Sequence, residues 1–511
     1  MEQRETVLSM RGISKRFDLK MANDAVDFDL YKGEIVSLLG ENGSGKTTLM
    51  NMLAGIYFPD EGHIFAGGRE VTISSPAEAY ALGIGMVHQH FKLVDVFTAW
   101  ENIVLGIEGK YDVPAARAKI REICDRYGFV VDPDKKIYNM TVSEKQTVEI
   151  VKVIFRGAEV LILDEPTAVL TPQETERLFD VMRNMRQDGK SIIIITHKLN
   201  EVMAISDRVV VLRRGQYVGQ LETASTDPQE MTDMMVGRAV RLDIERPEPV
   251  NPEKRLVISN INVTDAEGVQ KVKNVSFYMN SGEILGIAGI SGSGQKELLE
   301  AIAGIQKTES GSVLYIDENG RETELIGMHP RDIRELGVAL SFVPEDRLGM
   351  GLVGNMNISE NMMLRTFGES HKWFTDREKP KKIAKNVVST LEVSTPGLDT
   401  PVRRLSGGNI QKILVGREIS SNPKVLLTAY AVRGLDINSS YKIYELINEQ
   451  KKKGVAVLFV GEDLDVLMQI SDKIMVLCDG QVSDIVDAKK VSKNEIGLLM
   501  TSLEGAHSGE H

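Results

Sequence analysis

The eight residues GENGSGKT, at positions 40–47, have the types and the spacing of a loop that grips phosphate. Glycines let successive backbone N–H groups converge on anionic oxygens, and the start of a following helix adds the positive end of its dipole. In such a loop Lys46 meets the terminal phosphates and the hydroxyl of Thr47 ligates Mg²⁺. The predicted contacts to phosphate from this stretch are Gly40, Glu41, Asn42, Gly43, Ser44, Gly45, Lys46, Thr47 and Thr48.

Two carboxylates end an apolar run farther along the chain, VLILDEPT at 160–167. Asp164 is suited to hold Mg²⁺, directly or through water, and Glu165 is suited to polarise an attacking water. Taken alone, such a pair is commonly two surface acids after a buried strand. Together with the phosphate loop, it predicts phosphoryl chemistry.

Three further side chains are weaker candidates for the same site. His197, at the end of the run IIIITH, is suited to contact a γ-phosphate, although a lone histidine is more often structural or simply exposed. Gln89, in GMVHQHF, carries little weight by itself. Phe17, upstream of the loop, is either a platform for an adenine ring or a core phenylalanine. All three assignments depend on the rest of the motif set.

The elements that must position these residues occur twice. GEIVSLLGENGSGKTTLMNMLAGI (33–56) aligns without gaps to GEILGIAGISGSGQKELLEAIAGI (282–305), 249 residues later. SDRVVVLRRGQ (206–216) matches SDKIMVLCDGQ (471–481), 265 residues later, so the second copy carries about sixteen extra residues. A period this long indicates duplication of a whole domain. Within each copy, β-rich runs alternate with helix-like stretches, which predicts an α/β fold with a largely parallel sheet.

A change in composition predicts where the copies meet. GRAVRLDIERPEPVNPEKR (237–255) holds three prolines among charges, which disfavours both helix and central strand. The predicted domains are therefore 1–236 and 256–503, joined by this linker, and residues 504–511 are predicted to form a polar tail.

The bulk composition restricts the class of protein. An apolar content of 42% with 26% charged residues fits a soluble globular chain, and a net charge of −12 argues against a general nucleic-acid binder. Cys124 and Cys478 are too few for a disulfide framework. The polar start MEQRETVLSM is not a secretory signal, and no run approaches the ~20 apolar residues of a membrane span. Work at a membrane is therefore expected to occur through partners, from the cytoplasmic face.

The stretch RRLSGGNIQK (403–412) resembles the signature of ATP-binding-cassette (ABC) ATPases, and the two motifs of the first copy resemble that family's Walker motifs. The resemblance covers nearly the whole chain. It implies two P-loop NTPase domains, each with a mixed or parallel sheet and a helical subdomain. The tandem form looks like the fused ATPase subunits of monosaccharide importers, and MVHQHFKLVDVFTAWENIVLG (86–106) is most similar to the nucleoside-importing branch.

In this family two cassettes pair head-to-tail, which implies a first composite ATP site made from both copies. The first copy contributes Phe17, Lys46, Thr47, Gln89, Asp164, Glu165 and His197, of which Thr47, Gln89 and Asp164 are expected near Mg²⁺ and Lys46, Gln89, Glu165 and His197 in catalysis. The second copy contributes Ser406, Gly407, Gly408 and Asn409 from the signature and Asp436 from RGLD. Every part is present, so this site is expected to hydrolyse ATP.

The second composite site is degenerate on both faces. In the second copy Gln295, Lys296, Ala429, Tyr430, Glu462 and Glu345 stand where the first has Lys46, Thr47, Asp164, Glu165, His197 and Gln89. In the first copy MTVSEKQ (140–146) replaces the signature, and near Asp265 the second copy lacks an aromatic platform. Loss of a water-activating group alone costs ~10²–10⁴ in rate. Hydrolysis is expected to be negligible here, and nucleotide is expected to bind weakly without Mg²⁺ or not at all.

The resemblance implies an ATPase subunit of an importer for a simple sugar or nucleoside. The implied partners are two transmembrane permease subunits and an extracytoplasmic solute-binding protein, with the chain peripheral to the cytoplasmic face of the cell membrane and no nucleic acid bound. Two alternatives stay open: a soluble paired-cassette ATPase acting in translation or DNA maintenance, and a nucleotide-sensing structural subunit. The transported solute is not readable from these residues.

Overall fold

The computed structural model describes residues 4–18, 20–89, 91–107, 112–168, 170–237, 243–265, 267–290, 292–342, 351–366, 376–420, 423–461 and 463–502. The chain divides into two compact units, Met1–Arg241 and Leu242–His511. Each unit carries its own sheets and its own apolar core.

The first unit contains a small antiparallel sheet and a larger, mainly parallel one. Its strands are β1 (Thr6–Phe17), β2 (Lys20–Tyr31), β3 (Ile35–Leu39), β4 (Glu61–Ala66), β5 (Arg69–Val71), β6 (Ile84–Val87), β7 (Val160–Asp164), β8 (Ser191–Ile195), β9 (Arg208–Arg213) and β10 (Gln216–Glu222). Its helices are α1 (Lys46–Leu53), α2 (Pro76–Ala81), α3 (Ala99–Val104), α4 (Val113–Tyr127), α5 (Val142–Phe155), α6 (Pro172–Gln187), α7 (Leu199–Ile205) and α8 (Pro228–Val236). The small sheet has the order β2-β1-β4-β5, and the larger has the order β10-β9-β3-β8-β7-β6.

The burial of the central strands of the larger sheet accounts for their apolar sequences. β3, β7 and β8 are buried along their whole length, as strands covered on both faces must be, and they read as nearly continuous apolar runs. Only β10 runs antiparallel, paired with β9. The predicted α/β fold with a largely parallel sheet is confirmed.

The second unit repeats this plan. Its strands are β11 (Lys254–Thr264), β12 (Gln270–Asn280), β13 (Ile284–Gly289), β14 (Ser310–Ile316), β15 (Glu322–Glu324), β16 (Val338–Phe342), β17 (Val425–Ala429), β18 (Ala456–Val460), β19 (Lys473–Cys478) and β20 (Gln481–Asp487). Its helices are α9 (Gln295–Ile302), α10 (Pro330–Glu335), α11 (Ile358–Thr366), α12 (Glu378–Thr390), α13 (Gly407–Ile419), α14 (Ile437–Lys452), α15 (Leu464–Ile470) and α16 (Lys493–Leu499). The sheet orders are β12-β11-β14-β15 and β16-β17-β18-β13-β19-β20.

The extra residues of the second copy are spread over three places. The offset between copies is 249 residues at α1 and α9, 254 at α2 and α10, 259 at α3 and α11, and 265 at β7 and β17. The insertions therefore lie before α10, before α11 and between α11 and α13. None interrupts a strand of the larger sheet, because an insertion there would break its ladder.

Each unit carries a layer of helices beside its larger sheet. In the first unit α3, α4 and α5 pack on one another, and in the second α11, α12 and α13 do the same. Capping boxes begin α3 at Thr98 and α5 at Thr141, where a glutamate three residues on bonds back to the cap. Among the helices of the described ranges, none combines the length and apolar content needed to cross a bilayer.

The segment before β11 is tied to the second unit. Arg246 Nη1 donates to the backbone oxygens of Met468 (3.0 Å) and Ser471 (2.7 Å), and Asn448 Nδ2 donates to the Glu245 oxygen. β11 itself begins at Lys254, two residues inside the stretch predicted to be a linker. Prolines exclude regular secondary structure from this segment, but its backbone and its arginine still form hydrogen bonds with the second unit.

Candidate nucleotide site

Strand order gathers the predicted chemistry at one edge of the first unit's larger sheet. β6, β7, β8 and β3 are neighbours and run parallel, so the residues after their carboxyl ends lie side by side. Gln89 follows β6, Glu165 follows β7, His197 follows β8 and the loop 40–45 follows β3. Parallel α/β sheets bind their ligands at this edge.

The phosphate loop needs glycine at two places. Gly45 precedes α1 with φ 97°, and a Cβ there would lie 2.3 Å from the backbone oxygen of Ala22. A Cβ on Gly40 would lie 2.3 Å from the oxygen of Leu212 and 2.4 Å from Ser44 Oγ. The loop therefore passes close to two backbone segments, at Ala22 and at Leu212, and has no room for a side chain at Gly40 or Gly45.

Lys46 is buried with its ammonium inside this loop. Its Nζ donates to the backbone oxygens of Gly40 (2.6 Å) and Glu41 (3.0 Å), and the residue is 6% exposed. Burial lowers the pKa of Lys46, while the nearby carboxylates of Glu165 and Asp164 act in the opposite direction. A buried cation held only by carbonyls and acids is suited to an incoming polyphosphate.

Thr47 and Asp164 are already in contact, as a shared metal site requires. Thr47 Oγ1 donates to Asp164 Oδ2 at 3.3 Å. Burial, and next the charge of Glu165, raise the pKa of Asp164 to about 6. A divalent cation would relieve this crowding of negative charge, so the hydroxyl and carboxylate fit Mg²⁺ with phosphate and water completing its shell.

Glu165 is held from both sides. Gln89 Nε2 donates to Glu165 Oε2 at 2.7 Å, and His197 Nδ1 lies 3.0 Å from Glu165 Oε1. The hydrogen bond from His197 lowers the pKa of Glu165, so this carboxylate stays ionised. Its backbone is left-handed, with φ 48°, and its N–H donates to the oxygen of Ile195 at 2.8 Å. Gln89 and His197, weak candidates by sequence, both contact the predicted base.

Phe17 lies at the end of β1 and is 40% exposed, so it is not a core phenylalanine. Its ring meets Tyr57 edge-on, with centroids 5.1 Å apart. The sequence analysis did not identify Tyr57. The signal that could have indicated it is the aromatic pair in IYFPD, directly after the phosphate-loop helix.

Asn23 is a second site residue that sequence reasoning missed. It is fully buried in β2, its Nδ2 donates to the Gly45 oxygen at 3.3 Å, and its Oδ1 has no hydrogen-bond partner. Ser44 Oγ is likewise buried and unpaired. The alternation of β2 concealed Asn23, because the left-handed Ala25 (φ 48°) shifts the register and turns Asn23 inward. The unpaired Ser44 hydroxyl is a donor that suits a phosphate oxygen, whereas the Asn23 oxygen is an acceptor and does not.

The signature residues of the second unit begin a long helix. Ser406 is the N-cap of α13 but makes no side-chain bond to its amides, and its Oγ instead accepts from Asn409 Nδ2 at 2.9 Å. Gly407 and Gly408 form the first turn, whose N–H groups are therefore open to an anion. Asp436 caps α14, with Oδ1 accepting from the N–H of Ser439 at 2.8 Å.

The corresponding helix of the first unit is closed at its start. Thr141 Oγ1 accepts from the N–H of Glu144 at 3.2 Å, and the Glu144 carboxylate accepts from the N–H of Thr141 at 2.7 Å. The helix therefore carries its own anion at its N-terminus. This is the predicted degenerate signature, where Ser143 also replaces a glycine.

The phosphate loop of the second unit keeps the backbone turn before its helix but lacks the lysine and threonine that would bind phosphate and metal. Gly294 has φ 91°, matching Gly45, and Gln295 Nε2 donates to the Ile290 oxygen at 3.1 Å in the place of the lysine. Lys296 Nζ lies 3.9 Å from Glu300 Oε1, one turn along α9. Glu345 and Glu462, predicted to replace Gln89 and His197, lie outside the described residues.

The strand end of the second unit that corresponds to Glu165 keeps the same backbone geometry. Tyr430 has φ 55° and donates its N–H to the Val460 oxygen at 3.0 Å, as Glu165 does to Ile195. Ala429 ends β17 where Asp164 ends β7. Tyr430 packs against the apolar core beneath the strand. This edge offers no carboxylate at either of the two positions.

Comparisons with known proteins agree with this geometry. The family model described as "ABC transporter" matches residues 23–168 and 272–428. The nucleoside import ATP-binding protein NupA of Lactococcus lactis subsp. cremoris is 42% identical over 97% of this chain and 98% of its own length. The guanosine import ATP-binding protein NupO of Bacillus subtilis is 41% identical over 99% of each chain. A ribose import ATP-binding protein of Rubrobacter xylanophilus, RbsA 1, is 37% identical over 98% of this chain and 99% of that protein.

A solved structure supports the fold alone. The complex of an archaeal ribosome recycling factor with an archaeal ribosomal stalk protein contains a chain that matches 93% of this one, with a TM-score of 0.60 and 18% identity. Two family matches in one chain, and relatives that share nearly its whole length, place the duplication beyond doubt. The chain belongs to the ABC transporter family and is an ABC ATPase with two cassettes.

Proposed function

We propose that this chain powers an importer for a nucleoside, within the wider group of nucleoside and simple-sugar importers, by hydrolysing ATP at one of two sites. The observation that carries the proposal is Glu165, held by Gln89 and His197 at the strand end where the second unit has Tyr430. Similarity supports a nucleoside as the solute: the relatives named for nucleoside and guanosine import are 42% and 41% identical, against 37% for the ribose import relative.

The residues of the first unit have separate roles in ATP binding and hydrolysis. Lys46 and the loop amides bind the phosphate chain, and Phe17 supports the adenine ring. Glu165 accepts a proton from the attacking water while Gln89 and His197 fix the orientation of its carboxylate. Thr47 and Asp164 would hold Mg²⁺, which would neutralise charge on the phosphates.

The signature of the second unit completes this site. When the two cassettes pair as the family resemblance implies, Ser406 and the open amides of Gly407 and Gly408 bind the γ-phosphate, with Asn409 and Asp436 beside them. The other composite site lacks the lysine and both carboxylates, and its signature helix already carries Glu144. We propose that it does not hydrolyse ATP.

Partners and location follow from the same proposal. Two transmembrane permease subunits and an extracytoplasmic solute-binding protein complete the importer, and the chain lies at the cytoplasmic face of the membrane through the permeases. The helical layers α3–α5 and α11–α13 are the surfaces proposed to meet the permeases. Support comes from the full-length similarity to import ATP-binding proteins.

The hydrolysis proposal is tested by Glu165→Gln in the full chain. We expect ATP turnover to fall by about 10²–10⁴-fold, because the group that activates water is lost while the charge-neutral amide keeps the shape. Tyr430→Phe is the matched control in the second unit and is expected to retain wild-type turnover. Equal rates for wild type and Glu165→Gln would refute the assignment.

The import proposal is tested by co-purification with candidate permeases, followed by ATPase assays in membranes. A nucleoside, presented with the binding protein, is expected to stimulate turnover, whereas ribose at the same concentration is not. Stimulation by ribose alone would replace the solute and keep the importer. Stable association with ribosomes or DNA and no permease partner would favour the soluble paired-cassette alternative.

A further inference from the structure

The ring of Phe17 is held by a set of contacts that the motifs of the first unit do not include. Tyr57 meets it at 71° with centroids 5.1 Å apart, and Lys15 Nζ lies over the ring, 5.7 Å from its centroid. Lys15 is fixed in turn by Asp60, whose Oδ1 accepts from Nζ at 2.7 Å. The other Asp60 oxygen accepts from the N–H of Arg16 at 2.7 Å.

These contacts are tied to the phosphate loop from two sides. On β2, Asn23 is the cross-strand partner of Lys15, and its side chain donates to Gly45 in the loop. Beyond the loop, the N–H of Tyr57 donates to the Asn51 oxygen in α1. The aromatic pair therefore has a fixed position relative to the phosphate loop, although Phe17 itself is 40% exposed.

The second unit supplies an internal contrast. Val263 stands in the place of Lys15, because it pairs with Val272 on β12 as Lys15 pairs with Asn23 on β2, and Gln306 stands in the place of Tyr57. Gln306 Nε2 donates to the Thr264 oxygen at 3.1 Å, so the two chain segments still meet, but through an amide rather than a ring. In the second unit these two segments are joined without an aromatic ring or a cation. The need to join the segments therefore does not explain why the first unit has Tyr57 and Lys15.

We infer that Tyr57, Lys15 and Asp60 form a positioning clamp that holds the ring of Phe17 as a platform for the purine base of the nucleotide. An edge-to-face neighbour limits rotation of the ring, and an ammonium over its face fixes its tilt. Asp60 keeps Lys15 in place. The inference rests on the proposed function, since it assumes that the first unit binds ATP.

The test separates recognition of the base from recognition of the phosphates. Affinities of the full chain for Mg·ATP and for inorganic Mg·tripolyphosphate are measured by calorimetry in Tyr57→Leu and Lys15→Met. Each variant is expected to weaken ATP by about three- to tenfold, the size of aromatic and cation–π contacts, and to leave tripolyphosphate within about twofold. In turnover assays KM for ATP is expected to rise with little change in kcat.

Conservative variants and a matched control sharpen the result. Tyr57→Phe and Lys15→Arg are expected to retain ATP affinity, because ring and cation are kept. Gln306→Leu, at the matching position of the second unit, is expected to change neither affinity. Equal weakening of ATP and tripolyphosphate by Tyr57→Leu would show a disturbed loop and overturn the clamp, and so would unchanged ATP affinity.

The outcomes distinguish the clamp from the proposed function. If Phe17→Ala weakens ATP but Tyr57→Leu and Lys15→Met do not, the clamp is wrong and the function stands. If the clamp pattern is seen but no permease or solute stimulates turnover, the importer is wrong and the clamp stands. No effect of Phe17→Ala overturns the clamp, and failure of the wild type to bind ATP overturns both.

Discussion

Glu165 and Tyr430 occupy the same position on two copies of one strand-to-loop turn. Both have a left-handed backbone, with φ 48° and 55°, and both donate their N–H to the last residue of the neighbouring strand. Such a backbone is strained for a residue with a side chain, so its retention without the carboxylate shows that the turn is a property of the fold. Only the side chain decides whether the turn activates water.

The histidine beside Glu165 provides a first prediction. His197→Ala removes the group that contacts Glu165 Oε1, and we expect kcat to fall by about 10²–10⁴-fold while the Kd for ATP changes little. His63→Ala is the control, because His63 pairs with Glu70 on an exposed surface of the same unit. A loss of ATP affinity as large as the loss of kcat would show that His197 acts mainly in binding.

Restoring the missing lysine is predicted not to restore the second site. Gln295 is buried, and no carboxylate stands at Ala429 or Tyr430 to balance a cation there, whereas Lys46 has Asp164 and Glu165 nearby. Gln295→Lys is therefore expected to destabilise the second unit by about 1–3 kcal/mol and to add no turnover. Adding Ala429→Asp is expected to recover part of the stability.

Hydrogen exchange of peptides covering β13 and α9 measures this effect locally. The double variant is compared with Gln295→Lys and with Gln295→Met, a neutral control of similar size. Increased ATP turnover in Gln295→Lys alone would contradict the account of the second site. Unchanged exchange in that variant would contradict the account of its burial.

The raised pKa of Asp164 predicts a pH-dependent stability in chelator. With a native pKa of about 6 against an ordinary value of 3.8, the ionised carboxylate costs stability above pH 6, and the cost is relieved as the pH falls through 6. Asp164→Asn is expected to raise the free energy of unfolding by about 1–3 kcal/mol at pH 8 and by little near pH 4.

Thermal unfolding in EDTA across this range tests the sign. Asp188→Asn is a useful contrast, because hydrogen bonds from Tyr127 and Arg126 lower the pKa of Asp188. That variant is expected to lose stability at pH 8, the opposite direction. A gain for Asp164→Asn that is the same at pH 8 and pH 4 would exclude the carboxylate charge as its cause.

Arg246 provides a prediction outside the nucleotide site. Arg246→Ala leaves the oxygens of Met468 and Ser471 without this donor, and we expect the second unit to lose about 1–3 kcal/mol. Lys489→Ala breaks an exposed ion pair with Glu248 in the same segment and is expected to change the stability very little, because solvent screens such a pair. Faster hydrogen exchange in α15 for the first variant only is the expected result, and equal effects would contradict it.

The chemistry of the first copy can be read from short stretches of the chain. The phosphate-loop glycines lie next to their lysine in the chain, and the two carboxylates lie together after an apolar strand, so each short motif is recognisable on its own and the two together predicted a nucleotide site in the first copy. The ungapped repeat also revealed that Gln295 replaces Lys46. Local patterns of this kind need no knowledge of which strands are adjacent.

Contacts between distant segments were decided by tertiary structure. Gln89 and His197 reach Glu165 because β6, β7 and β8 are neighbours in one parallel sheet, an order that alternation of strands and helices does not specify. Asn23 faces the phosphate loop because a left-handed residue shifts the register of β2. Phe17 lies on the surface beside Tyr57 because β1 ends where α1 and its following turn pass. Each of these contacts depends on how strands and helices pack together. Packing involves segments that are distant in the chain, so no short stretch of sequence specifies it.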